Sequence, residues 1–539
     1  MSHDWKSKFP LENIRDQQRT AIDFVLEAFD TKKYAILEAP TGSGKSIIGI
    51  TVGRYLQDHY SFTDANYDKG SYVLTTQKML QEQYTKDFSP PKGELVSLKS
   101  ASNFDCGFHK DRTCADSRKA LNLMGQLAFK TKWFKECMNN CPYLQCKKDF
   151  MEGYEGVTNY SYFLTATSGK NSKFKKRNLL ICDESHTVAD EVCKFISVDF
   201  TKNFAENYLK LKVPKFKTDT QIFEWISTEY KKSLQLYHAE LQEALFNSLE
   251  LSEEIDAKVS KRFDTVDKHL SKLHSLITNY NNERWLVTNA DGKMSFKPLD
   301  ASLYTDKTLF RFGEKCLLMS ATILDKEIYC NELGLNQDDV SFLSLESTFP
   351  KENRKILYYP LGKMSANSLA TTMPKMSSGV DEIMDSHKEE KGIIHCANFS
   401  VGKAIYEASK CKDRLLLQNE ANKEQILKKH FSKESTNTVL ISPSMCEGID
   451  LKDDLSRFQI IVKLPFPYLG DKYVKAKFER QPKWYQYVTL RSFVQSTGRS
   501  VRHEKDWATT YVLDECFSYF YKMNKSYFPK YISECLENV

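Results

Sequence analysis

Short apolar runs, separated by stretches with helical spacing, recur in two series along the 539-residue chain. The first series lies at residues 34–38, 72–75, 179–183 and 316–320, and the second at 393–396, 438–442, 458–464 and 510–513. Runs of this length between helices are typical of the buried strands of a doubly wound parallel sheet. We therefore predict an α/β fold with two such domains, the second beginning at about residue 346.

Residues 215–297 have a different pattern, which predicts a helical insertion in the first α/β domain. They contain no proline and a single glycine, Gly292, so little in this stretch interrupts a helix. Apolar residues recur there at intervals of three or four: Ile255, Val259, Phe263, Val266, Leu270, Leu273 and Ile277. We expect this apolar stripe to be a core seam that packs against an earlier helix in residues 222–249.

Composition and charge exclude several classes of protein. Hydrophobic residues make up 41% of the chain and charged residues 27%, as in soluble globular proteins. No apolar run approaches the ~18–20 residues that span a bilayer, and the first residues lack the apolar segment of a signal peptide. We therefore expect an intracellular protein that does not bind a membrane. The net charge of +6 is too small to identify a nucleic-acid-binding protein by itself.

A phosphate-binding loop is predicted between the first apolar run and a helical stretch. Its residues are Ala39, Pro40, Thr41, Gly42, Ser43, Gly44, Lys45 and Ser46, with Ala39 at the position of the first glycine. Main-chain N–H groups of such a loop surround phosphate oxygens, because the loop opens a helix after a strand. We expect Lys45 to reach the β- and γ-phosphates of ATP and Ser46 to bind Mg²⁺.

Two further groups of residues fit the same chemistry. Asp183 and Glu184 end an apolar run, so Asp183 can hold the Mg²⁺ shell and Glu184 can orient or deprotonate the attacking water. Arg499 and Arg502, three residues apart, would share one face of a helix and donate to the γ-phosphate from the second domain. Taken alone, the carboxylates could be an acidic surface turn, and the arginines a basic helix face.

The order of these elements resembles superfamily 2 helicases of the XPD and DinG branch over nearly the whole chain. The further matching segments are Arg15 to Gln18, Thr75 to Gln77, Asp183-Glu184-Ser185-His186, Ser320-Ala321-Thr322, Glu447 to Asp450, Lys463 to Pro467 and Gln495 to Arg502. The resemblance implies two RecA-like domains that bind ATP and Mg²⁺ between them. It implies that Arg15 and Gln18 read the adenine, that Gly448 and Asp450 contact the nucleotide, and that Gln495 acts in catalysis.

A cluster of cysteines needs its own explanation, because five of the 14 cysteines lie within 41 residues. They are Cys106, Cys114, Cys137, Cys141 and Cys146. In an intracellular chain, such a cluster indicates a metal or free thiols rather than disulfides. Four thiolates suffice for a [4Fe–4S] cluster, and a zinc site of four cysteines is the chemical alternative.

The resemblance implies an iron–sulfur domain at this position and favours the cluster over zinc. The segment around Cys106 is similar to that around the family's first ligand, and Cys141-Pro142-Tyr143 to that around its last. On this basis the ligands are Cys106, Cys114, Cys137 and Cys141, and Cys146 is surplus. The spacing around Cys114 departs from the best-known members of the family.

The resemblance also divides the chain into segments. We expect the first helicase domain in residues 1–98, 151–195 and 306–345, an iron–sulfur domain in 99–150, a helical arch domain in 196–305, and the second helicase domain in 346–539. The arch and the iron–sulfur domain would frame a pore for one DNA strand. Only 14 residues precede Arg15, so we expect no N-terminal nuclease domain of the kind found in some DinG relatives.

Three functions are consistent with these residues. The first is an ATP-dependent 5′-to-3′ DNA helicase, a monomeric motor acting on single-stranded and forked DNA, with the direction implied by the family alone. The second is an ATP-driven translocase that remodels protein–nucleic-acid complexes without unwinding. The third is a non-catalytic DNA-binding scaffold with a zinc site, against which the intact Lys45, Glu184 and Arg499 argue.

Overall fold

The computed structural model describes residues 3–59, 66–89, 95–168, 172–252, 257–419, 422–442 and 451–539. Seven parallel strands form the sheet of the first α/β domain: β1 (Tyr34–Glu38), β2 (Tyr67–Thr75), β3 (Leu95–Ser97), β4 (Glu155–Asn159), β5 (Lys176–Cys182) and, after an inserted segment, β9 (Gly313–Ser320) and β10 (Val340–Ser344). Their order across the sheet is β10-β1-β9-β5-β2-β4-β3. Because β1 and β5 lie on either side of β9, the loops that follow all three meet at one edge of the sheet.

Helices cover both faces of this sheet. They are α1 (Asp16–Thr31), α2 (Lys45–His59), α3 (Lys78–Phe88), α7 (Tyr160–Thr167), α8 (Val188–Ile196), α13 (Thr305–Thr308) and α14 (Lys326–Leu333). The central strands β1 and β5 are apolar and buried along most of their length, as expected of a sheet covered on both sides.

A second parallel sheet confirms the predicted second α/β domain. Its strands are β11 (Ile356–Gly362), β12 (Gly392–His395), β13 (Leu415–Leu417), β14 (Val439–Ser442), β15 (Phe458–Ile461), β16 (Thr509–Asp514) and β17 (Leu536–Glu537), in the order β13-β14-β12-β15-β16-β11-β17. Its helices are α15 (Leu369–Ser386), α16 (Phe399–Ala408), α17 (Lys423–Phe431), α18 (Lys472–Arg480), α19 (Pro482–Thr497), α20 (Cys516–Asn524) and α21 (Lys530–Ser533). The chain therefore has the two RecA-like sheets that its apolar runs predict.

Two segments are inserted into the first domain. The cysteine-rich segment folds as α4 (Cys114–Met124), α5 (Lys132–Asn140) and α6 (Pro142–Glu152). The later insertion contains α9 (Lys202–Asn207), α10 (Asp219–Trp225), α11 (Lys231–Ser252) and α12 (Ala257–Asn279). The two insertions contact each other through an ion pair of 2.6 Å between Lys119 of α4 and Asp264 of α12. The domain boundaries expected from the sequence stay predictions.

The apolar stripe predicted in the second insertion lies on α12 and faces the core. Val266 and Leu273 are fully buried there, whereas Ile255 lies outside the described residues. The helix packs against α11, where His238 contacts the ring of Phe263 at 4.7 Å between ring centres. The core seam that the spacing predicts is therefore present.

The second insertion is not wholly helical, which corrects the prediction for residues 215–297. Strands β6 (Val198–Thr201), β7 (Trp285–Ala290) and β8 (Lys293–Pro298) form a small antiparallel sheet. The turn between β7 and β8 is Asp291-Gly292, and both residues have positive φ, 52° and 72°. An Asp-Gly pair between alternating apolar residues is a strong hairpin signal, and here it overrides the absence of other helix breakers. None of the described helices is long and apolar enough to cross a membrane.

Candidate functional site

The phosphate-binding loop joins β1 to α2 and has the backbone that its glycines allow. Gly42 and Gly44 have φ of +82° and +89°, a region that favours glycine. A Cβ atom at Gly42 would lie 2.5 Å from the main-chain oxygen of Arg502, so the loop touches the second domain here. Lys45 Nζ donates to the main-chain oxygen of Ala39 over 3.1 Å, which keeps its ammonium group beside the loop. Thr41, Ser43 and Ser46 complete the loop.

The start of α1 is bound to the same loop. Arg15 donates from its guanidinium group to the main-chain oxygen of Gly42 over 2.8 Å, and Gln18 donates from Nε2 to that of Ser43 over 3.3 Å. The side-chain oxygen of Gln18 accepts the Arg15 N–H over 3.1 Å, so this helix end is also capped. The structure thus brings Arg15 and Gln18 to the loop on which the sequence predicts a nucleotide.

The two adjacent carboxylates lie where β5 ends, facing the phosphate-binding loop. Asp183 Oδ1 accepts the N–H of Glu184 over 3.0 Å, and Asp183 Oδ2 accepts the hydroxyl of Tyr84 over 2.9 Å. Burial, followed by the neighbouring Glu184 carboxylate, raises the pKa of Asp183 to about 6, although the charge of Lys45 opposes this. A nearby divalent cation would relieve this repulsion, so the donor set fits Mg²⁺.

Glu184 differs from its neighbour in conformation and in surroundings. It has a left-handed φ of 51°, and 36% of its side chain is exposed in the cleft. Burial opposes ionisation of Glu184, but surrounding cationic groups hold its pKa below the usual value. These groups are His186 when protonated, Lys45, Arg499 and Arg502. Glu184 is therefore an ionised carboxylate in an electropositive cleft.

A hydrogen-bond network joins the two domains beside these carboxylates. His186 Nδ1 lies 2.8 Å from Ser320 Oγ, at the end of β9. Gln495 of α19 donates from Nε2 to His186 Nε2 over 2.6 Å and lies 3.2 Å from Thr322 Oγ1. Burial lowers the pKa of His186 to about 4, so the ring is neutral and can accept at Nε2. Three segments that are distant in sequence therefore share one network.

Arg499 and Arg502 are not on a helix face, which corrects the prediction. α19 ends at Thr497, and the two arginines lie in the loop that follows Gly498. The loop is fixed instead by Asp506, a fully buried carboxylate that accepts the N–H of Arg502 over 3.0 Å. Gly498 is the C-cap of the helix, and its N–H donates to the main-chain oxygen of Val494 over 3.2 Å.

The cleft between the domains has a volume of about 840 Å³. Lys45 and Glu184 line it from the first domain, and Gln495, Arg499 and Arg502 line it from the second. The sequence also predicted Gly448 and Asp450 as nucleotide contacts, but both lie outside the described residues.

Four of the five clustered cysteines surround one small cavity. They are Cys106, Cys114, Cys137 and Cys141, all buried. The Sγ atoms of Cys114 and Cys141 are 3.6 Å apart. Cys146 lies elsewhere, with its thiol donating to the main-chain oxygen of Ser97 over 3.3 Å. The structure thus brings together the four cysteines chosen from the sequence and separates the fifth.

These four thiols suit a metal centre chemically. Burial first, and then neighbouring cysteines, raise the pKa of Cys137 to about 12 and that of Cys114 to about 11. Burial opposes ionisation of Cys106 as well, but hydrogen bonds, first from the His109 N–H, lower its pKa. Protonated thiols become ligands when a cation displaces their protons, so the buried set fits a metal or an iron–sulfur cluster.

Some residues in or beside the cleft belong to no recognisable motif. Tyr84 binds Asp183 from α3, and Phe349 touches Gly42 from the segment between the sheets. Tyr531 lines the cleft from α21. The sequence offered no signal for these roles, because an isolated aromatic residue is most often part of a core.

Comparison with known proteins agrees with this arrangement. The family model of a helicase C-terminal domain matches residues 380–535, and that of the type III restriction enzyme res subunit matches residues 11–213. A probable ATP-dependent helicase of Methanocaldococcus jannaschii is 23% identical, over 95% of this chain and 93% of that protein. The ATP-dependent DNA helicase YoaA of Haemophilus influenzae is 22% identical, over 84% of this chain and 82% of that protein.

Solved structures show the same fold. An XPD helicase has a TM-score of 0.63 at 15% identity, covering 96% of this chain and 98% of that one. Xpd4 of S. tokodaii has a TM-score of 0.59 at 14% identity, covering 97% and 99%. The chain has relatives that match it along most of its length and two matching family models, and the predicted helicase segments meet around its cleft. It therefore belongs to the XPD/DinG type of superfamily 2 helicases, which are ATP-hydrolysing enzymes.

Proposed function

We propose that the protein is an ATP-dependent DNA helicase that couples hydrolysis to 5′-to-3′ movement along single-stranded DNA and to duplex unwinding. The observation that carries the proposal is the cleft, where Lys45 and Glu184 of one domain face Arg499 and Arg502 of the other. A site divided in this way ties the chemistry of the nucleotide to the relative position of two domains, as a motor requires.

ATP binding is assigned to the loop and to the helix beside it. Main-chain N–H groups of residues 41–46 surround the phosphates, and Lys45 supplies positive charge to the β- and γ-phosphates. Arg15 and Gln18 hold the loop from the side, and Gln18 has an amide suited to reading the edge of an adenine. Gly448 and Asp450 are proposed to contact the nucleotide from the second domain.

Hydrolysis is assigned to the two carboxylates and the arginines. Ser46 and Asp183 would hold Mg²⁺, which when bound neutralises charge on the phosphates. Glu184 is ionised and accepts a proton from the attacking water. Arg499 and Arg502 donate to the γ-phosphate as charge develops there, in the manner of arginine fingers supplied by the second domain. Gln495 keeps this domain in register with His186.

DNA binding is assigned to the surface framed by the two insertions. The Lys119–Asp264 ion pair joins the cysteine-rich segment to α12, so the insertions can enclose one strand above the first domain. A single strand is held in such channels by basic residues and stacked aromatic side chains. Forked DNA is the expected substrate, with one strand admitted and the other excluded. We propose that the motor is a monomer.

Cys106, Cys114, Cys137 and Cys141 are proposed to hold a [4Fe–4S] cluster that folds the cysteine-rich segment. Their shared cavity supports a metal centre of four thiolates. Zinc is the second candidate, and the distance between two of the sulfur atoms is consistent with it. Tetrahedral Zn–S bonds of about 2.3 Å put sulfurs about 3.8 Å apart, close to the 3.6 Å between Cys114 and Cys141. Measurement of iron and zinc content decides between the two.

Unwinding of tailed duplexes tests the proposed function. Purified protein with ATP and Mg²⁺ should separate a duplex with a 5′ single-stranded tail and leave a 3′-tailed duplex intact. DNA-stimulated hydrolysis without strand separation would identify a translocase that remodels complexes instead. The absence of both hydrolysis and unwinding would leave a DNA-binding scaffold. The Lys45→Ala variant is the control for contaminating enzymes.

A further inference from the structure

Two tyrosines of the second domain donate hydrogen bonds to the main chain of residues 321–323, which follow β9. Tyr531 of α21 donates its hydroxyl to the main-chain oxygen of Ala321 over 3.3 Å. Tyr487 of α19 donates to the main-chain oxygen of Ile323 over 2.9 Å. Both tyrosines are buried, and a buried hydroxyl is costly unless it is hydrogen-bonded. Each of these buried hydroxyls therefore donates to the main chain of the other domain.

One face of α19 continues this contact along the cleft. Tyr487, Arg491 and Gln495 are four residues apart and so lie on the same side of the helix. Arg491 donates from its guanidinium group to the main-chain oxygen of His186 over 3.1 Å, and Gln495 donates to the His186 ring. Tyr487, Arg491 and Gln495 are thus a row of hydrogen-bond donors on one side of α19, and all three bind residues of the first domain.

Tyr531 belongs to residues 529–537, which we name the β17 segment. Contacts of this segment with the second domain hold Tyr531 in place. Arg354 donates to the main-chain oxygen of Tyr531 and, over 2.7 Å, to the carboxylate of Glu534. The main-chain oxygen of Cys535 accepts the N–H of Ile356 over 2.8 Å, and β17 then pairs with β11. The β17 segment is therefore built into the second sheet, and it presents Tyr531 to the cleft.

We propose that Tyr487 and Tyr531 are positioning residues that lock residues 321–323 to the second domain while ATP is hydrolysed. Ser320 and Thr322, on either side of Ala321, contact His186 and Gln495. A displacement of this segment would therefore move the network beside Glu184, and small misplacements of catalytic groups reduce turnover strongly. The proposal deepens the proposed function and rests on it, since it names further residues needed for hydrolysis.

The variants Tyr487→Phe and Tyr531→Phe test this role, because each removes one hydroxyl and keeps the ring that packs in the core. Tyr519→Phe is the matched control, since Tyr519 is 72% exposed on α20. We would measure the kcat and KM of single-stranded-DNA-stimulated ATP hydrolysis, the binding of a fluorescent ATP analogue, and the melting temperature. Each single variant should lower kcat by about three- to tenfold, the effect of one neutral hydrogen bond.

Binding of the analogue and KM should stay within about twofold of wild type, as expected of an effect on turnover rather than on ATP binding. The proposal is overturned if kcat in both variants equals that of Tyr519→Phe. It is equally overturned if kcat falls only in proportion to ATP affinity and melting temperature, which would make the hydroxyls general contributors to stability. Because the test measures ATP turnover, it remains decisive even if wild type fails to unwind DNA, the result that would refute the proposed function.

Discussion

Gln495 donates from Nε2 to Nε2 of His186 across the interdomain cleft, over 2.6 Å. An amide N–H can donate only to a ring nitrogen that carries a lone pair, so His186 has its proton on Nδ1, facing Ser320. The tautomer of a residue next to the carboxylate pair is thus set by a side chain more than 300 positions away. The contact joins the predicted Asp-Glu-Ser-His box to the segment that carries the arginines.

Replacing Gln495 by leucine should slow ATP turnover by about 10- to 100-fold, because His186 and Thr322 lose a buried donor. ATP binding should change little, since Gln495 faces the first domain and not the phosphate-binding loop. Steady-state hydrolysis and equilibrium nucleotide binding would be measured together. Gln486→Leu, on the exposed side of the same helix, is the control. Normal turnover in Gln495→Leu would show that the contact is dispensable.

Lys45→Ala and Glu184→Gln should abolish hydrolysis by different routes. Loss of the Lys45 charge should weaken ATP binding and reduce turnover at least 100-fold, while the fold is kept. Glu184→Gln keeps the shape of the side chain but cannot accept a proton, so it should bind ATP and Mg²⁺ and hold DNA tightly without turnover. Nucleotide binding measured by calorimetry separates the two. Equal loss of ATP binding in both would contradict the role given to Glu184.

Arg499→Ala and Arg502→Ala should each reduce kcat by about 10³-fold or more, the scale of known arginine fingers. ATP affinity should fall far less, since the arginines are proposed to act mainly in the transition state. Lys505→Ala is the matched control, because Lys505 is an exposed cation in the same loop. If both arginine variants kept the kcat of wild type, the loop would have only a structural role.

Cys137→Ser and Cys141→Ser should lose a broad absorption near ~400 nm and the order of residues 100–150, since a short segment depends on its metal to fold. Some ATP hydrolysis should remain, because the cleft lies outside this segment, whereas unwinding should fail. Cys146→Ser should keep its colour, since its thiol faces Ser97. Iron, sulfide and zinc analysis of wild type decides the metal. Zinc without iron would rule out the cluster, and a colourless Cys146→Ser would show that the ligand set is wrong.

His395 should make the protein less stable as pH falls. Its ring is fully buried, and burial lowers its pKa to about 4, against about 6.5 in an unfolded chain. Unfolding therefore takes up a proton between these values, so this contribution to stability is present above pH ~6.5 and lost towards pH ~4.

His395→Phe should remove about 2 kcal/mol of the decrease in unfolding free energy between pH 7 and pH 5. Urea unfolding at pH 7, 6 and 5 measures this slope. His59→Phe, at an exposed position, should keep the slope of wild type. An unchanged slope in His395→Phe would mean that the imidazole is already charged in the folded protein.

Local sequence patterns determined much of the fold. The two series of apolar runs predicted both parallel sheets, and the spacing of Val266 and Leu273 predicted the buried side of α12. These features follow from residues close together in the chain, because strand and helix periods are local properties. The hairpin at Asp291-Gly292 also has a local sequence signal, but the long stretch without other helix breakers obscured it.

The tertiary structure alone decided which residues meet. Arg499 and Arg502 lie in a loop held by Asp506 and not on a helix, and Cys146 faces away from the other four clustered cysteines. No motif marked the tyrosine hydroxyls that bind residues 321–323. These relationships join residues that are tens to hundreds of positions apart, and they depend on how two sheets and their insertions pack. Sequence therefore determined the types of element and the chemistry available, and packing determined which side chains share a site.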